Sequence, residues 1–333
     1  VKWIEMSKPG IESSEFPIRN VGVLGIGQMG ASAAVLFCRA GMRVRLWTRD
    51  RQKLQNVQLE LDRMNAFLDE HIGSASSQSG KIDLEPNLAV VDSQSEAILE
   101  CVAEDMNQKQ LLLKQLNHCR DQGKLVMSCT SGLSITEMAS GSQLDACLVG
   151  AHFWNPPHLI PVVEVVSGKQ TPPHQVELAS MLLERADRIP IRCPDIPGFI
   201  GNRLMHAMWR EALSLVDSGA CTAEDIDRVV KWTFALRLPA IGPMENMDLV
   251  GHSLVEKVQR YLLPDLANNK TPAKALTAGL DNGQSGMAAG KGFYDWTARD
   301  AKSLIELRDR QIIRQLQFLR ANAATSASPA APA

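Results

Sequence analysis

The stretch Asn20-Val-Gly-Val-Leu-Gly25-Ile-Gly27-Gln28-Met29-Gly30 decides the fold, because it joins a short apolar strand directly to a glycine-rich turn. Behind it, Ala31 to Ala40 has the composition of a helix, and Gly41 closes it. A bare G-x-G-x-x-G is a weak signal, but strand, turn and helix in this order are what a phosphate-binding βα unit needs. Gly25 permits the tight turn, Gly27 lets backbone approach a pyrophosphate, and Gly30 lets the helix pack close to the strand. The free N–H groups at the helix start, with Gln28 and Met29 beside them, then face the phosphates of a dinucleotide.

Working outward, Met42 to Thr48 is a second strand, and it ends in Trp47-Thr48-Arg49-Asp50. An NAD-binding unit sets an acidic residue near this point for the adenosine ribose, whereas an Arg beside a small hydroxyl residue suits a 2′-phosphate. Thr48 and Arg49 therefore lean toward NADP. Asp50 still allows NAD, and Arg49 as a solvated loop charge is an equal alternative. The spacing of Leu54, Val57, Leu61, Met64, Phe67 and Leu68 predicts a helix over Arg51–His71, followed by a polar surface loop from Gly73 to Gly80.

The β/α alternation continues through Leu88–Val91 and Ala97–Ala103, a helix over Asn107–Asp121 and a strand over Lys124–Met127. Glu104 and Ser131 then stand at the carboxyl ends of strands, where open parallel sheets bind ligands. Ser134 and Glu137 form a capping box for a short helix. A helix over Pro172–Arg188 and a strand over Ile189–Cys193 complete a Rossmann-type, doubly wound α/β domain spanning residues 18–194. Strand signals then stop. Helices over Phe199–Ser218, Thr222–Trp232, Glu245–Tyr261 and Ser303–Ala321 predict an all-α domain from 195 to 321. Asp195 is expected to cap its first helix and Pro197 to start it, with Ile200, Leu204, Met208, Ala212 and Leu215 on a buried face and Asn202 on another.

Between the two regions of chemistry lies Gly150-Ala-His152-Phe-Trp-Asn155-Pro-Pro-His158-Leu-Ile-Pro-Val-Val-Glu164-Val-Val166, two apolar runs joined by a proline-bearing loop. Each of His152 and Glu164 would sit on a stiff β support. A carboxylate that accepts one imidazole N–H fixes the tautomer and leaves the other nitrogen to take a proton, as a general base requires. Taken alone, the stretch serves equally well as a structural His near an exposed Glu.

Composition narrows the partners. A net charge of −2 over 333 residues, with signs interspersed, offers no field for nucleic acid or an anionic membrane, so a small-molecule partner is expected. The seven cysteines are scattered, odd in number and never spaced as C-x-x-C, which suggests neither a disulfide framework nor a metal site. No apolar run reaches the length of a membrane span, and residues 1–16 have no apolar leader core, so a cytoplasmic protein is expected. Residues 1–17 are read as an extension outside the fold, and 322–333 as a disordered tail.

The glycine-rich start, Ser131, His152 with Asn155-Pro156, Glu164, Asp195-Ile-Pro-Gly-Phe-Ile-Gly-Asn202-Arg203, Asp225-Ile-Asp227, Gly242-Pro243 and Gly292-Phe-Tyr294 together resemble the L-3-hydroxyacyl-CoA dehydrogenase family, from about residue 18 to 297. The resemblance implies a homodimer whose helical domain dimerises, with a hydroxyacyl-CoA or a related hydroxy acid as substrate and a place in fatty acid metabolism. It implies His152 as base, Glu164 as its orienting carboxylate, Ser131 and Asn202 as groups holding the reacting oxygen, and Glu104, Lys109 and Asn155 as residues lining the cofactor. Two departures bear on substrate. The run Leu59–Glu70, lysine-rich in the CoA-ester enzymes, is net acidic here, and Asn155-Pro-Pro-His158-Leu-Ile-Pro161 is closer to branches acting on free hydroxy acids or hydroxymethyl compounds, such as gulonate and carnitine dehydrogenases. His158 is a loop residue or a substrate-side contact. Because fold alone does not establish catalysis, a non-catalytic dinucleotide-binding protein stands as the alternative from another class.

Overall fold

A computed structural model describes residues 17–75 and 79–326, and contacts divide them after Asn202 into two compact units. The expected extension before Pro17 and the end of the tail beyond Ser326 lie outside the described residues.

The first unit alternates strands and helices: β1 (Asn20–Leu24), α1 (Gln28–Arg39), β2 (Arg43–Trp47), α2 (Arg51–His71), β3 (Ile82–Leu84), α3 (Leu88–Gln94), β4 (Ala97–Glu100), α4 (Met106–Leu113), α5 (Asn117–Asp121), β5 (Leu125–Ser128), α6 (Ile135–Ser142), β6 (Leu148–Phe153), β7 (Val162–Ser167), α7 (Pro173–Arg185) and β8 (Ile189–Pro194). They form one sheet in the order β3-β2-β1-β4-β5-β6-β7-β8. Every pairing is parallel except β6 with β7. This is the doubly wound architecture expected from the alternation. β1 is flanked by β2 on one side and β4 on the other, so the chain reverses direction across the sheet there and opens a crevice at the strands' carboxyl ends.

The core explains why these strands carry continuous apolar runs. Val21 and Val23 pack with α1, α2 and α7 on one face, while Leu24, Ile98 and Val126 pack with α3, α4, α5 and α6 on the other. A strand buried on both faces has no polar face to alternate with.

Several local expectations need correction. Helix α1 begins at Gln28 rather than Ala31, because Gly27 is extended and acts as its N-cap. Leu88–Val91 belongs to a helix capped by Asn87, and the strand of that repeat is Ile82–Leu84, too short to announce itself by periodicity. The helix expected over Asn107–Asp121 is two, α4 and α5, separated at Lys114–Leu116. Asp195 caps α6, not the long helix after it. Its carboxylate accepts from the amides of Ile135 (3.1 Å) and Thr136 (2.8 Å) and from the Ser134 hydroxyl (2.8 Å). That contact keeps the segment from Asp195 to Asn202 with the first unit, past the boundary expected near Pro194.

The second unit comprises α8 (Gly201–Asp217, which starts in the first unit), α9 (Ala223–Trp232), α10 (Pro243–Val250), α11 (His252–Leu262), α12 (Lys274–Asp281) and α13 (Ala301–Ser326). The single helix expected over Glu245–Tyr261 breaks at Gly251, whose φ of 92° no continuing helix accommodates. Helix α12 gave no sequence signal. Helix α13 runs past Ala321, so the tail expected from 322 is helical as far as Ser326. The apolar face expected to be buried on α8 is exposed among the described residues: Ile200, Leu204, Met208 and Leu215 are at least a third open. Among the described residues, no helix is long and apolar enough to cross a membrane.

Candidate active site

His152 lies near the end of β6 and Glu164 in the middle of β7, and the antiparallel register makes them direct cross-strand partners. Residues opposite each other in such a pair project from the same face. The two side chains accordingly meet, with His152 Nδ1 2.7 Å from Glu164 Oε2. Both are almost fully buried. The loop between them carries a cis Asn155–Pro156 bond and leaves Asn155 exposed.

Glu164 is held from a second side. Gly198 and Phe199 take positive φ values of 76° and 51°, turning the chain into α8. The amides of Ile200 and Gly201 then donate to Glu164 Oε1, each at 2.9 Å. A carboxylate at a helix start gains from the unpaired N–H groups there. Burial pushes the Glu164 carboxyl up, but hydrogen bonds from His152 and from the Gly201 and Ile200 amides outweigh it and hold the group below the ordinary glutamate value. An ionised Glu164 accepts only, so in the neutral form of the imidazole Nδ1 carries the proton and Nε2 the lone pair.

Aromatic rings enclose the imidazole. Trp154 lies with its ring centroid 5.1 Å from that of His152, and Phe199 lies at 5.7 Å. A Cβ on Gly201 would stand 2.2 Å from Trp154 Cζ2, so only glycine admits the indole there. Neither Trp154 nor Gly201 was marked by sequence reasoning. The extra aromatic within the His152–Asn155 run was the available signal.

Ser131 and Asn202 also come together: Asn202 Nδ2 donates to the Ser131 carbonyl oxygen at 2.9 Å. The Ser131 amide in turn donates to Glu104 Oε1 (2.8 Å), which also accepts from the Thr130 hydroxyl (2.6 Å). Lys109 is turned inward. Its side chain is 1% exposed, and its ammonium lies 2.9 and 3.0 Å from the two oxygens of Glu100, a buried carboxylate absent from the sequence reading. His158 sits in the loop after Asn155, its ring edge-on to Phe67 of α2 at 5.6 Å.

The residues around the glycine turn fit a dinucleotide. Gly25, at φ 117°, approaches the backbone of Cys101, and a Cβ on Gly30 would fall 1.9 Å from the Gly25 carbonyl oxygen. A Cβ on Gly27 would meet nothing within 4 Å, which leaves open space at the start of α1 for phosphates. Gln28 is exposed and Met29 half-buried beside it. At the end of β2, the Asp50 carboxylate is engaged as the N-cap of α2, accepting from the amides of Gln52 and Lys53. Thr48 Oγ1 accepts from the Asp50 amide at 3.3 Å, and Arg49 is exposed.

A glycine-turn Rossmann unit with a carboxylate-backed imidazole at the carboxyl ends of its strands has the parts that a nicotinamide-dependent dehydrogenase needs. The chain matches "3-hydroxyacyl-CoA dehydrogenase, NAD binding domain" over residues 20–196 and "3-hydroxyacyl-CoA dehydrogenase, C-terminal domain" over 198–296, and it belongs to that family. It is 28% identical over 304 residues to the 5-formyl-3-hydroxy-2-methylpyridine 4-carboxylate 5-dehydrogenase of Mesorhizobium japonicum, covering 91% of this chain and 98% of the relative. It is 32% identical over 306 residues to the L-carnitine dehydrogenase of Nocardiopsis dassonvillei, covering 89% and 90%. A crystal structure of a 5-formyl-3-hydroxy-2-methylpyridine 4-carboxylic acid 5-dehydrogenase, described as an NAD+ dependent dismutase, superposes with a TM-score of 0.86 at 28% identity, covering 91% of this chain and 99% of that one. The protein is thus an NAD-dependent oxidoreductase acting on CH–OH donors.

Proposed function

We propose that this dehydrogenase oxidises the hydroxyl of a small free hydroxy acid or hydroxymethyl compound rather than a CoA ester, with His152 as general base and Glu164 as the carboxylate that orients it. The observation that carries the reading is the 2.7 Å contact between two buried side chains from neighbouring strands. Alcohol oxidation needs the O–H proton removed as the C–H hydride departs. Nε2 of His152 takes that proton, and the ionised Glu164 stabilises the imidazolium that results. The nicotinamide supplies the chemistry of accepting the hydride. Ser131 and Asn202 hold the reacting oxygen as charge grows on it, a contribution of a few kcal/mol from preorganised donors. Gly25, Gly27, Gln28, Met29 and Gly30 hold the dinucleotide at its phosphates, and Asn155 borders the nicotinamide half.

Two observations support a free substrate. The Leu59–Glu70 run of α2 exposes Glu60, Asp62, Asp69 and Glu70 against Arg63 and holds no lysine to meet the phosphates of CoA. The two relatives described above also bear names for small compounds without CoA. At the adenosine end, Thr48 with Arg49 suits the 2′-phosphate of NADP alongside NAD, since Asp50 is already spent on the α2 cap. The open apolar faces of the second unit support a homodimer, in which a second copy covers them.

The test is nicotinamide reduction measured with NAD and NADP in parallel, against free hydroxy acids, hydroxymethyl heteroaromatics and 3-hydroxyacyl-CoA esters. Turnover with the free compounds is expected. A clear preference for CoA esters overturns the substrate class, and silence across the panel despite dinucleotide binding favours a non-catalytic protein.

A further inference from the structure

Two neighbouring strands at the crevice are each followed by a cysteine: Cys101 comes after Glu100, the last residue of β4, and Cys129 after Ser128, the last of β5. Glu100 and Ser128 are partners in the parallel register. The Cys129 amide carries the ladder one step further by donating to the Glu100 carbonyl oxygen at 2.8 Å. The two cysteines therefore stand side by side, although 28 residues separate them in the chain. Their sulfurs lie 2.9 Å apart, and both residues are partly exposed. Neighbouring strands run about 4.7–4.9 Å apart, inside the Cα separation of about 4.4–6.8 Å that a disulfide spans, so a link between them needs no change of register.

Cys101 also supports the phosphate turn. A Cβ on Gly25 would fall 2.5 Å from the Cys101 carbonyl oxygen, and one on Gly30 would fall 3.4 Å from the Cys101 Cβ, so the turn rests on this residue without slack. On the other side, Cys129 leads directly into Thr130 and Ser131. Burial pushes the Cys101 thiol well above its ordinary value, and the adjoining Cys129 sulfur and the Glu100 charge add to the effect. Cys101 thus keeps its proton, which leaves Cys129 as the attacking sulfur.

We infer that Cys101 and Cys129 are a redox modification site: in the dinucleotide-free chain a peroxide joins them in a reversible disulfide, and this disulfide and the dinucleotide oppose one another. The Cys129 thiolate attacks one peroxide oxygen, the O–O bond breaks, and a sulfenic acid forms as water leaves. The Cys101 sulfur then displaces hydroxide from that sulfenic acid, and the hydroxide departs with the Cys101 proton as a second water. Two thiols are oxidised by two electrons in all, and one peroxide is reduced to two waters. Drawing the sulfurs to bonding distance moves Cys101, and the Gly25 turn resting on it must follow. By linkage, the disulfide weakens dinucleotide binding by the same factor by which bound dinucleotide disfavours the disulfide. The inference uses the dinucleotide-binding assignment alone and not the substrate proposed above.

The test treats the full chain with hydrogen peroxide, alkylates the remaining thiols and maps the peptides by mass spectrometry. The expected product is a Cys101–Cys129 link that dithiothreitol reverses. NADH, titrated by fluorescence, should bind the linked chain about tenfold more weakly than the reduced chain, and in glutathione redox buffers saturating NADH should shift the ratio of linked to unlinked chain by that same factor. Cys101→Ser should leave Cys129 as a sulfenic acid that dimedone captures. Cys129→Ser, which lacks the attacking sulfur, should show one NADH affinity before and after peroxide. The inference fails if both cysteines stay open to alkylation while Cys38 or Cys221 is oxidised, and it fails equally if the link forms and NADH affinity does not change. The wild-type comparison needs no substitution, so the test holds even where a variant does not fold. A chain that forms the link and binds NADH, yet oxidises no hydroxy compound, would sink the substrate reading and leave this one standing.

Discussion

The unit ending at Asn202 and the unit following it are built on opposite terms. In the first, β4 and β5 are buried along their length, β1 is buried from Val21 onward, and α1 is sealed from Gly30 to Phe37. In the second, Ala273 and Ile313 are the only buried apolar side chains among the described residues, and Trp232 and Tyr261 stand 75% and 82% exposed. Helices α8, α9 and α11 are amphipathic, yet none of their residues is buried. Tertiary packing supplies most helix stability, so helices in this condition need a surface to pack on. The contrast teaches that the dinucleotide unit specifies its own core, whereas the described helices of the second unit bury almost no apolar side chain of their own.

The sharpest way to break this division of labour is His152→Gln, because the first unit should hold the chemistry without the chemistry holding the fold. Turnover should fall by about 10²–10⁴-fold, the usual contribution of a positioned general base, while dinucleotide binding and melting temperature stay near wild type. Near-normal turnover would remove the base assignment. A pair of truncations sharpens the energetic side. Leu99→Ala, at a fully buried site, should cost about 2–5 kcal/mol in urea denaturation at any protein concentration. Leu249→Ala, at a site 75% exposed, should cost less than about 0.5 kcal/mol if the chain works alone. A larger cost that grows on dilution would instead report a second copy covering the face.

Smaller effects probe the segment where the two regimes meet. Gly201→Ala drives a methyl group into Trp154 and should destabilise by about 1–3 kcal/mol, with a loss of kcat as the α8 amides shift from Glu164. Arg49→Ala should lower the ratio of kcat/KM with NADP to that with NAD by about tenfold if the guanidinium meets a 2′-phosphate. An unchanged ratio returns Arg49 to the status of a loop charge. The mildest prediction concerns pH. The Glu164 carboxyl lies below its ordinary value in the folded chain, so its stabilisation is complete above the unfolded carboxyl range and lost as pH falls through the lowered folded value. Glu164→Gln should therefore flatten the acid side of the stability profile, and an unaltered acid limb would mean that other carboxylates dominate it.

Much of this was readable without coordinates. The G-x-G-x-x-G turn, the α2 boundaries at Arg51 and His71, and the two strands around the proline loop all follow from local pattern. Even the meeting of His152 and Glu164 was latent there. Antiparallel strands joined by one loop pair residues at equal distances from its centre, and the register follows that rule from Val149 with Ser167 to Phe153 with Val163. What escaped the reading has a different physical origin. Asp195 resembled the cap of the helix beside it, but its hydrogen bonds go to Ser134, Ile135 and Thr136, far back in the chain. Lys109 was placed beside the cofactor by resemblance alone, and its contact with the buried Glu100, nine residues earlier on β4, had no signal in the sequence. The apolar stripe on α8 was read correctly as a stripe, and within this single chain its residues stand exposed.

Sequence alone determined the order of elements, the class of cofactor and the chemical identities at the crevice, because turns, periodicities and side-chain chemistry act over a few residues. Tertiary structure decided which carboxylate serves which partner, where the first unit ends, and which apolar faces find cover. Those outcomes depend on burial and on hydrogen bonds between segments distant in the chain, whose energies exist only once the sheet has brought them together.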